Sequence, residues 1–176
     1  MSSPRVIALT GYAQSGKSTV AEILERDHGY VRTRFAKPLK DMLRAIGLGE
    51  AELEGNLKES PCALLQGQTP RWAMQSLGTE WGREMIGCNF WAGVWEHTAC
   101  EIVDQGGKIV VEDCRFPNEV TVIRNLFGTV WRIERPGTGS TTHESERHVD
   151  TLDWDFRILN TGSVDDLRAT VGRLMP

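Results

Sequence analysis

The chain has 176 residues, 40% of them hydrophobic, which suits one domain with a real core. A formal net charge of −4 supplies no basic surplus for a nucleic-acid polymer, although a local basic pocket is compatible with it. No apolar run approaches a membrane span, the first residues lack the apolar core of a secretion signal, and Cys62, Cys88, Cys100 and Cys114 show no C-x-x-C spacing, so membrane, zinc and disulfide classes are set aside and the cytoplasm is the expected compartment.

Val6–Leu9 reads as a short buried strand, apolar and β-branched between Pro4 and Gly11. Lys17 to about Asp27 reads as a helix, with Val20, Ile23 and Leu24 as its apolar stripe and Gly29 as its stop. Tyr30–Phe35 is a second strand, and the helix after it has Pro38 in its first turn and Gly47 at its end. Residues 49–68 read as irregular and polar, with no clear periodicity. From Pro70 to Gly87 the pattern is helical again. On a helical wheel Arg71, Gln75, Gly78, Thr79 and Gly82 share one side, and Ala73, Met74, Leu77 and Met85 lie roughly opposite.

Asn89 opens a further helix carrying Trp91, Val94, Trp95 and Ile102, which ends at Gly106–Gly107. KIVVED, residues 108–113, is a buried strand, and FPNEVTVIRNLFG is a helix with Pro117 near its start. TVWRIE is another strand, residues 136–153 hold little apolar content, DFRIL is a last strand, and Ser163 caps the closing helix. Short apolar strands separated by helices predict an α/β fold, a parallel sheet covered on both faces and joined by right-handed crossovers.

Residues 11–18, GYAQSGKS, fit G-x-x-x-x-G-K-[ST] at every fixed position, with a strand before and a helix after. Glycines let backbone N–H groups converge on an anion, and the helix N-terminus adds partial positive charge. Lys17 is placed to reach the outer phosphates, and the Ser18 hydroxyl to bind magnesium. The expected ligand is a nucleoside triphosphate. A GTPase would also need an Asn-Lys-x-Asp segment, which the chain lacks, and a motor ATPase usually needs a larger chain. In VVEDCRFPNE, Asp113 and Arg115 stand at the carboxyl end of a central strand, the edge at which open α/β sheets bind ligands. If strand geometry persists, both side chains point to one face. Asp113 suits magnesium through water or a substrate group, and Arg115 suits a phosphate in fork geometry. The plain alternative is an ordinary salt bridge near a strand end.

The stretches GYAQSGKST, FAKPLKDML, RWAMQSLGTE, NFWAGVW, VVEDCRFPNEV, GTVWRIERPG, THESE and ILNTGSVDDL occur in that order. Together they resemble the phage-type deoxynucleoside monophosphate kinases, a branch of the P-loop kinases. The resemblance covers nearly the whole chain. Q-x-L-G-T-[DE], D-x-R followed by Glu, and R-P-G then T-H are far more specific than the phosphate loop. It implies a P-loop NTPase fold: a five-stranded parallel sheet of order 2-3-1-4-5, helices on both faces and a small lid, as a single domain over 1–176. It also implies magnesium-dependent transfer of the γ-phosphoryl group of ATP to a deoxynucleoside 5′-monophosphate.

The same resemblance implies residue roles. Gln14, Ser15, Gly16, Lys17, Ser18 and Thr19 would hold the ATP phosphates, with Ser18 on the metal, and Asn160 would belong to the adenine-side loop. Lys40, Arg71, Gln75 and Trp91 would serve the acceptor, and Asp113, Arg115 and Glu119 the polar edge of its pocket. Lys17, Asp113, Arg115 and Arg135 would act on the moving phosphoryl group. Residues 136–153 form the lid candidate, flanked by Arg132, Arg135 and Arg147, of which Arg135 is the strongest. Some relatives carry Asp where this chain has Ser18, and serine suits magnesium directly. The stretch 49–68 is short beside some relatives, which leaves substrate choice open.

Trp95 and Trp131 lie on apolar stripes and read as core, whereas Trp91 takes its pocket role from the resemblance alone. His143 and His148 have no neighbouring ligand set and read as surface residues. Two other readings stand beside the nucleotide kinase: a kinase of another small acceptor such as a coenzyme precursor, and an ATP-responsive binding module without turnover. Lys17, Asp113 and Arg115 argue against the second. The base, the sugar and the assembly, a homodimer included, stay open; for a chain of phage origin the compartment would be the host cytoplasm.

Overall fold

A computed structural model of the chain describes residues 3–139 and 148–175. Five parallel strands form one sheet in the order β2-β3-β1-β4-β5, as the resemblance implies. They are β1 Val6–Thr10, β2 Val31–Thr33, β3 Ile109–Val111, β4 Thr129–Glu134 and β5 Phe156–Leu159. The helices are α1 Lys17–His28, α2 Lys37–Ala45, α3 Glu50–Leu53, α4 Pro70–Ser76, α5 Phe90–Asp104, α6 Pro117–Asn125 and α7 Val164–Leu174. The chain divides into two compact units, Met1–Arg34 with Glu96–Pro176 and Phe35–Trp95, the division falling within α5.

The first unit holds the sheet. β1 lies at its centre, Ala8 level with Val111 of β3 and Val130 of β4. Covered on both faces, every residue of VIALT is buried, the reason this strand is continuously apolar rather than alternating. Val20, Ile23 and Leu24 of α1 and Leu167 and Val171 of α7 pack on Ile7, Leu9, Val110, Trp131, Ile133 and Ile158. Each such side chain, fully buried, contributes roughly 1.5–3 kcal/mol. α6 packs on β1 and β4 from the other face, to which Val6 and Ala8 point. α1 stops at Gly29, in left-handed conformation (φ 71°), whose N–H returns to the Glu25 and Leu24 carbonyls. α7 starts with a reciprocal cap: Asp166 N–H donates to Ser163 Oγ at 3.2 Å, and Ser163 N–H donates to Asp166 Oδ2 at 2.9 Å.

In the second unit Leu39, Leu43, Leu48, Leu53, Ala73 and Trp91 form the core. Three expectations change. Residues 49–68 are not wholly irregular: α3 and a 3₁₀ turn at Ala63–Leu65 lie there, with Leu53 fully buried. Elements this short show no period. Helix continues past Ser76, but Leu77–Ile86 is a π-helix. A Cβ on Gly82 would lie 2.2 Å from Trp91 Nε1, and that nitrogen donates to the Gly78 carbonyl at 2.8 Å. An indole seated on two glycines accompanies the widened turn, so a wheel drawn at α-helical period misplaces the residues beyond it. Met85, expected on the apolar side, is 75% exposed. The strands around β1 are also shorter than read: pairing in β2 covers Val31–Thr33, and β3 ends at Val111. Alternation therefore does not carry through to Asp113 and Arg115.

Candidate active site

The bend between β1 and α1 is built from backbone conformations that exclude most side chains. Gly11 and Gly16 have φ of 139° and 104°, and Gln14 is left-handed at 63°. A Cβ on Gly11 would meet the Ile133 carbonyl oxygen of β4 at 2.2 Å, so the loop lies directly against the neighbouring strand. α1 then begins with Gly16 as its N-cap, with no side-chain cap and no acidic residue in its first turn. Nothing acidic there competes with an anion for the positive end of the helix. The Lys17 ammonium donates to the Gly11 and Tyr12 carbonyls at 2.8 and 2.7 Å, folded onto the rim of its own loop. Ser15 is buried, Thr19 half-buried and Ser18 exposed. Asn160, just beyond β5, donates from Nδ2 to the Ser15 carbonyl at 2.9 Å.

Beside this loop, at the carboxyl edge of β2 and β3, stands a cluster absent from the sequence reading. The Glu112 side chain is 4% exposed and accepts from Arg32 at 2.6 Å and from Arg34. Burial alone would raise its pKa. The Arg32 hydrogen bond and the Arg34 charge outweigh burial and hold the carboxyl below its usual range. An Arg-x-Arg pair at the end of β2, Arg32 within the strand and Arg34 just past it, and an acid directly after an apolar β3 were the available signals; parallel pairing of β2 with β3, which no local pattern reveals, brings them together. Asp113 and Arg115 come next on this edge, both half-buried. Glu119 is buried and accepts the Arg115 and Phe116 N–H groups at 2.7 and 3.1 Å, which caps α6 and fixes the Arg115 backbone. Cys114 is buried, and burial, with Glu119 and Asp113 nearby, pushes its thiol well above the ordinary range.

Arg132, expected as a lid arginine, is buried in β4. It donates to Glu134 at 2.7 Å, to the Val149 carbonyl at 2.8 Å and to Asp150 at 2.6 Å. Asp150 also accepts from the hydroxyl of Tyr12 in the phosphate loop. The Tyr12 and Arg132 hydrogen bonds hold its carboxyl below the usual range. Arg132 thus anchors residues 149–150 to the sheet, a role its charge alone did not suggest. Arg135 is exposed, and its carbonyl accepts from Thr138. His143, Arg147 and the rest of the middle of the lid candidate, residues 140–147, lie outside the described residues. His148 is exposed and near the Phe116 ring, and among the described residues no group of three or more His, Cys, Asp or Glu is placed to hold a metal.

The other acceptor residues belong to the second unit. Lys40 donates to Glu54 at 2.6 Å, and Arg71 pairs with Glu59. Gln75 is exposed. Trp91 is 3% exposed, packed against Trp81 and Phe90 with its N–H on Gly78: a core position rather than an open stacking platform. Trp95 and Trp131 are likewise buried. No helix among the described residues is long and apolar enough to cross a membrane.

Residues 63–171, more than half of the chain, match the family model described as deoxynucleotide monophosphate kinase. A protein of Acanthamoeba polyphaga mimivirus, provisionally named for the same activity, is 28% identical over 181 residues, covering 94% of this chain and 93% of the relative. The deoxynucleotide monophosphate kinase of Enterobacteria phage T4 is 24% identical over 229 residues, covering 93% and 95%. Among solved structures, the APS kinase of Mycobacterium tuberculosis in complex with AMPPNP and APS matches with a TM-score of 0.51 at 14% identity, over 99% of this chain and 98% of that one. Shikimate kinase from Aquifex aeolicus matches at 0.50 and 12% identity, over 96% and 94%. At such identities the likeness is one of fold, that of the P-loop kinases.

Proposed function

The chain belongs to the deoxynucleotide monophosphate kinase family, and from that premise we propose that it transfers the γ-phosphoryl group of ATP to a deoxynucleoside 5′-monophosphate, giving the diphosphate and ADP. The observation that carries this reading is the phosphate loop: two positive-φ glycines, an uncapped helix start free of acid and a lysine on the loop rim. The relatives align over 93% and 95% of their own length, which supports one kinase domain spanning residues 1–176.

In-line phosphoryl transfer calls for positioning and charge neutralisation rather than a protein nucleophile. The backbone from Gln14 to Gly16, with Ser15 and Thr19, holds the triphosphate, and Lys17 exchanges its two carbonyl contacts for the outer phosphates. Arg115, on a backbone fixed by Glu119, and Arg135 neutralise charge that spreads during transfer. The acceptor phosphate is already anionic, so no strong general base is needed. Lys40, Arg71, Gln75 and Trp91 are assigned to the acceptor on the family motifs, Trp91 through packing. The exposed Ser18 hydroxyl and the Asp113 carboxylate are hard oxygen donors of the kind magnesium takes. Bound there, a magnesium ion would offset the negative charge of the phosphates. Two viral relatives support action in the cytoplasm of an infected host.

The test is a panel of deoxynucleoside and nucleoside monophosphates with ATP and magnesium, read out by ADP release. Turnover with at least one deoxynucleoside monophosphate is expected. Turnover only with an unrelated small acceptor, or ATP binding with no turnover on any acceptor, would overturn the proposal.

A further inference from the structure

Asn160, which the resemblance places in the adenine-side loop, donates from Nδ2 to the Ser15 carbonyl at 2.9 Å. Of the two ends of the amide only the NH₂ donates, so a carbonyl partner dictates its orientation. The amide also presses on the next residue. A Cβ at Gly16 would lie 2.4 Å from Asn160 Nδ2, and Gly16 adopts φ 104°. The mount is firm: Asn160 N–H donates to the Glu134 carbonyl at 2.7 Å, and the Ser163–Asp166 cap begins three residues later.

We propose that Asn160 is a positioning residue of the phosphate loop, fixing the Ser15–Gly16 peptide so that the Gly16 N–H faces the triphosphate. The peptide is trans and planar, so its C=O and N–H point in opposite directions. A carbonyl held by Asn160 on one side turns the Gly16 N–H to the other, into the bend. Because the carbonyl is engaged before any nucleotide arrives, this donor is preorganised. The inference rests on the reading of residues 11–18 as the ATP-phosphate site and adds a residue that need not touch the ligand.

Asn160→Asp is the discriminating variant. It keeps the shape but sets a carboxylate oxygen against the Ser15 carbonyl, acceptor against acceptor. Calorimetric titration with Mg·ATP at pH 8 should show binding weakened about 10–100-fold, and Asn160→Ala about 3–10-fold. The KM for the acceptor should move less than about twofold, since the change acts on one peptide of the ATP site. Because a protonated carboxyl can donate again, and an aspartate protonates at about 3.9, the Asn160→Asp deficit should shrink relative to wild type as pH falls from about 8 to about 4. If Asn160→Asp does not fold, the Asn160→Ala arm carries the same split between ATP and acceptor. ATP affinity within about twofold of wild type in both variants, a pH-independent deficit, or equal losses for ATP and acceptor would overturn the role. The titration needs no acceptor: a wild-type protein that binds ATP and phosphorylates no deoxynucleoside monophosphate refutes the proposed function, while variants that match an active wild type refute Asn160 alone.

Discussion

Glu112→Gln should destabilise the protein at neutral pH, by an amount the geometry bounds. The carboxylate is 4% exposed, while the two guanidiniums it holds are 27% and 33% exposed. Removing one partner of a fully buried pair costs about 3–5 kcal/mol. Arg32 and Arg34 keep some contact with water, so about 2–3 kcal/mol applies here. At roughly 2–4 °C per kcal/mol for a chain of this size, the melting temperature should fall by about 4–12 °C. The sign with pH comes from the depressed carboxyl. Its contribution is complete above the unfolded value of about 4.3 and is lost as pH falls through the folded one. The gap between wild type and variant should be full at about pH 7 and close below about pH 4. Urea unfolding of both proteins across that range measures it. A gap under about 0.5 kcal/mol at neutral pH, or one that persists undiminished to about pH 3, would refute the ion-pair account.

Lys17→Ala should cut ADP release by about two to three powers of ten while the urea midpoint holds, since the ammonium gives up only two loop carbonyls. Substantial residual activity would remove the phosphate-loop mechanism. Arg115→Lys keeps the charge but loses the planar fork, so steady-state kinetics should show a raised acceptor KM or a strongly lowered kcat with ATP binding near wild type; equal losses for both substrates would make Arg115 structural. Trp91→Leu should act on stability, by about 2–4 kcal/mol, because the ring is buried and its N–H serves Gly78. An unchanged melting temperature with a raised acceptor KM would restore the stacking role.

The parts of the fold written in local chemistry were readable in the sequence. The phosphate loop declares itself through Gly11, Gly16 and Lys17, and Ser163 and Gly29 mark helix ends where the structure has them. The sheet order came through the family resemblance, because no spacing within the chain says which strands are neighbours. What local pattern could not supply lies in partnerships across many residues: Glu112 with Arg32 and Arg34, Arg132 with Asp150, Asn160 with Ser15. The π-helix was hidden for a related reason. Gly78 and Gly82 read as one helix face, and the indole of Trp91 seated on them comes from a helix that starts beyond this one.

The central place of β1 bears on the order in which the molecule matures. Ile7 pairs with Val110 on one side and with Thr129 on the other. Closing such long loops is slow, and topologies dominated by distant pairings fold late. During synthesis the segment VIALT therefore waits, apolar and unpaired, for partners more than a hundred residues away, a hazard for association with other nascent chains. The phosphate loop waits longer still, since it leans on the Ile133 carbonyl and on Asn160. Nucleotide capture by a chain on the ribosome would thus mark the arrival of the fifth strand rather than of the loop itself.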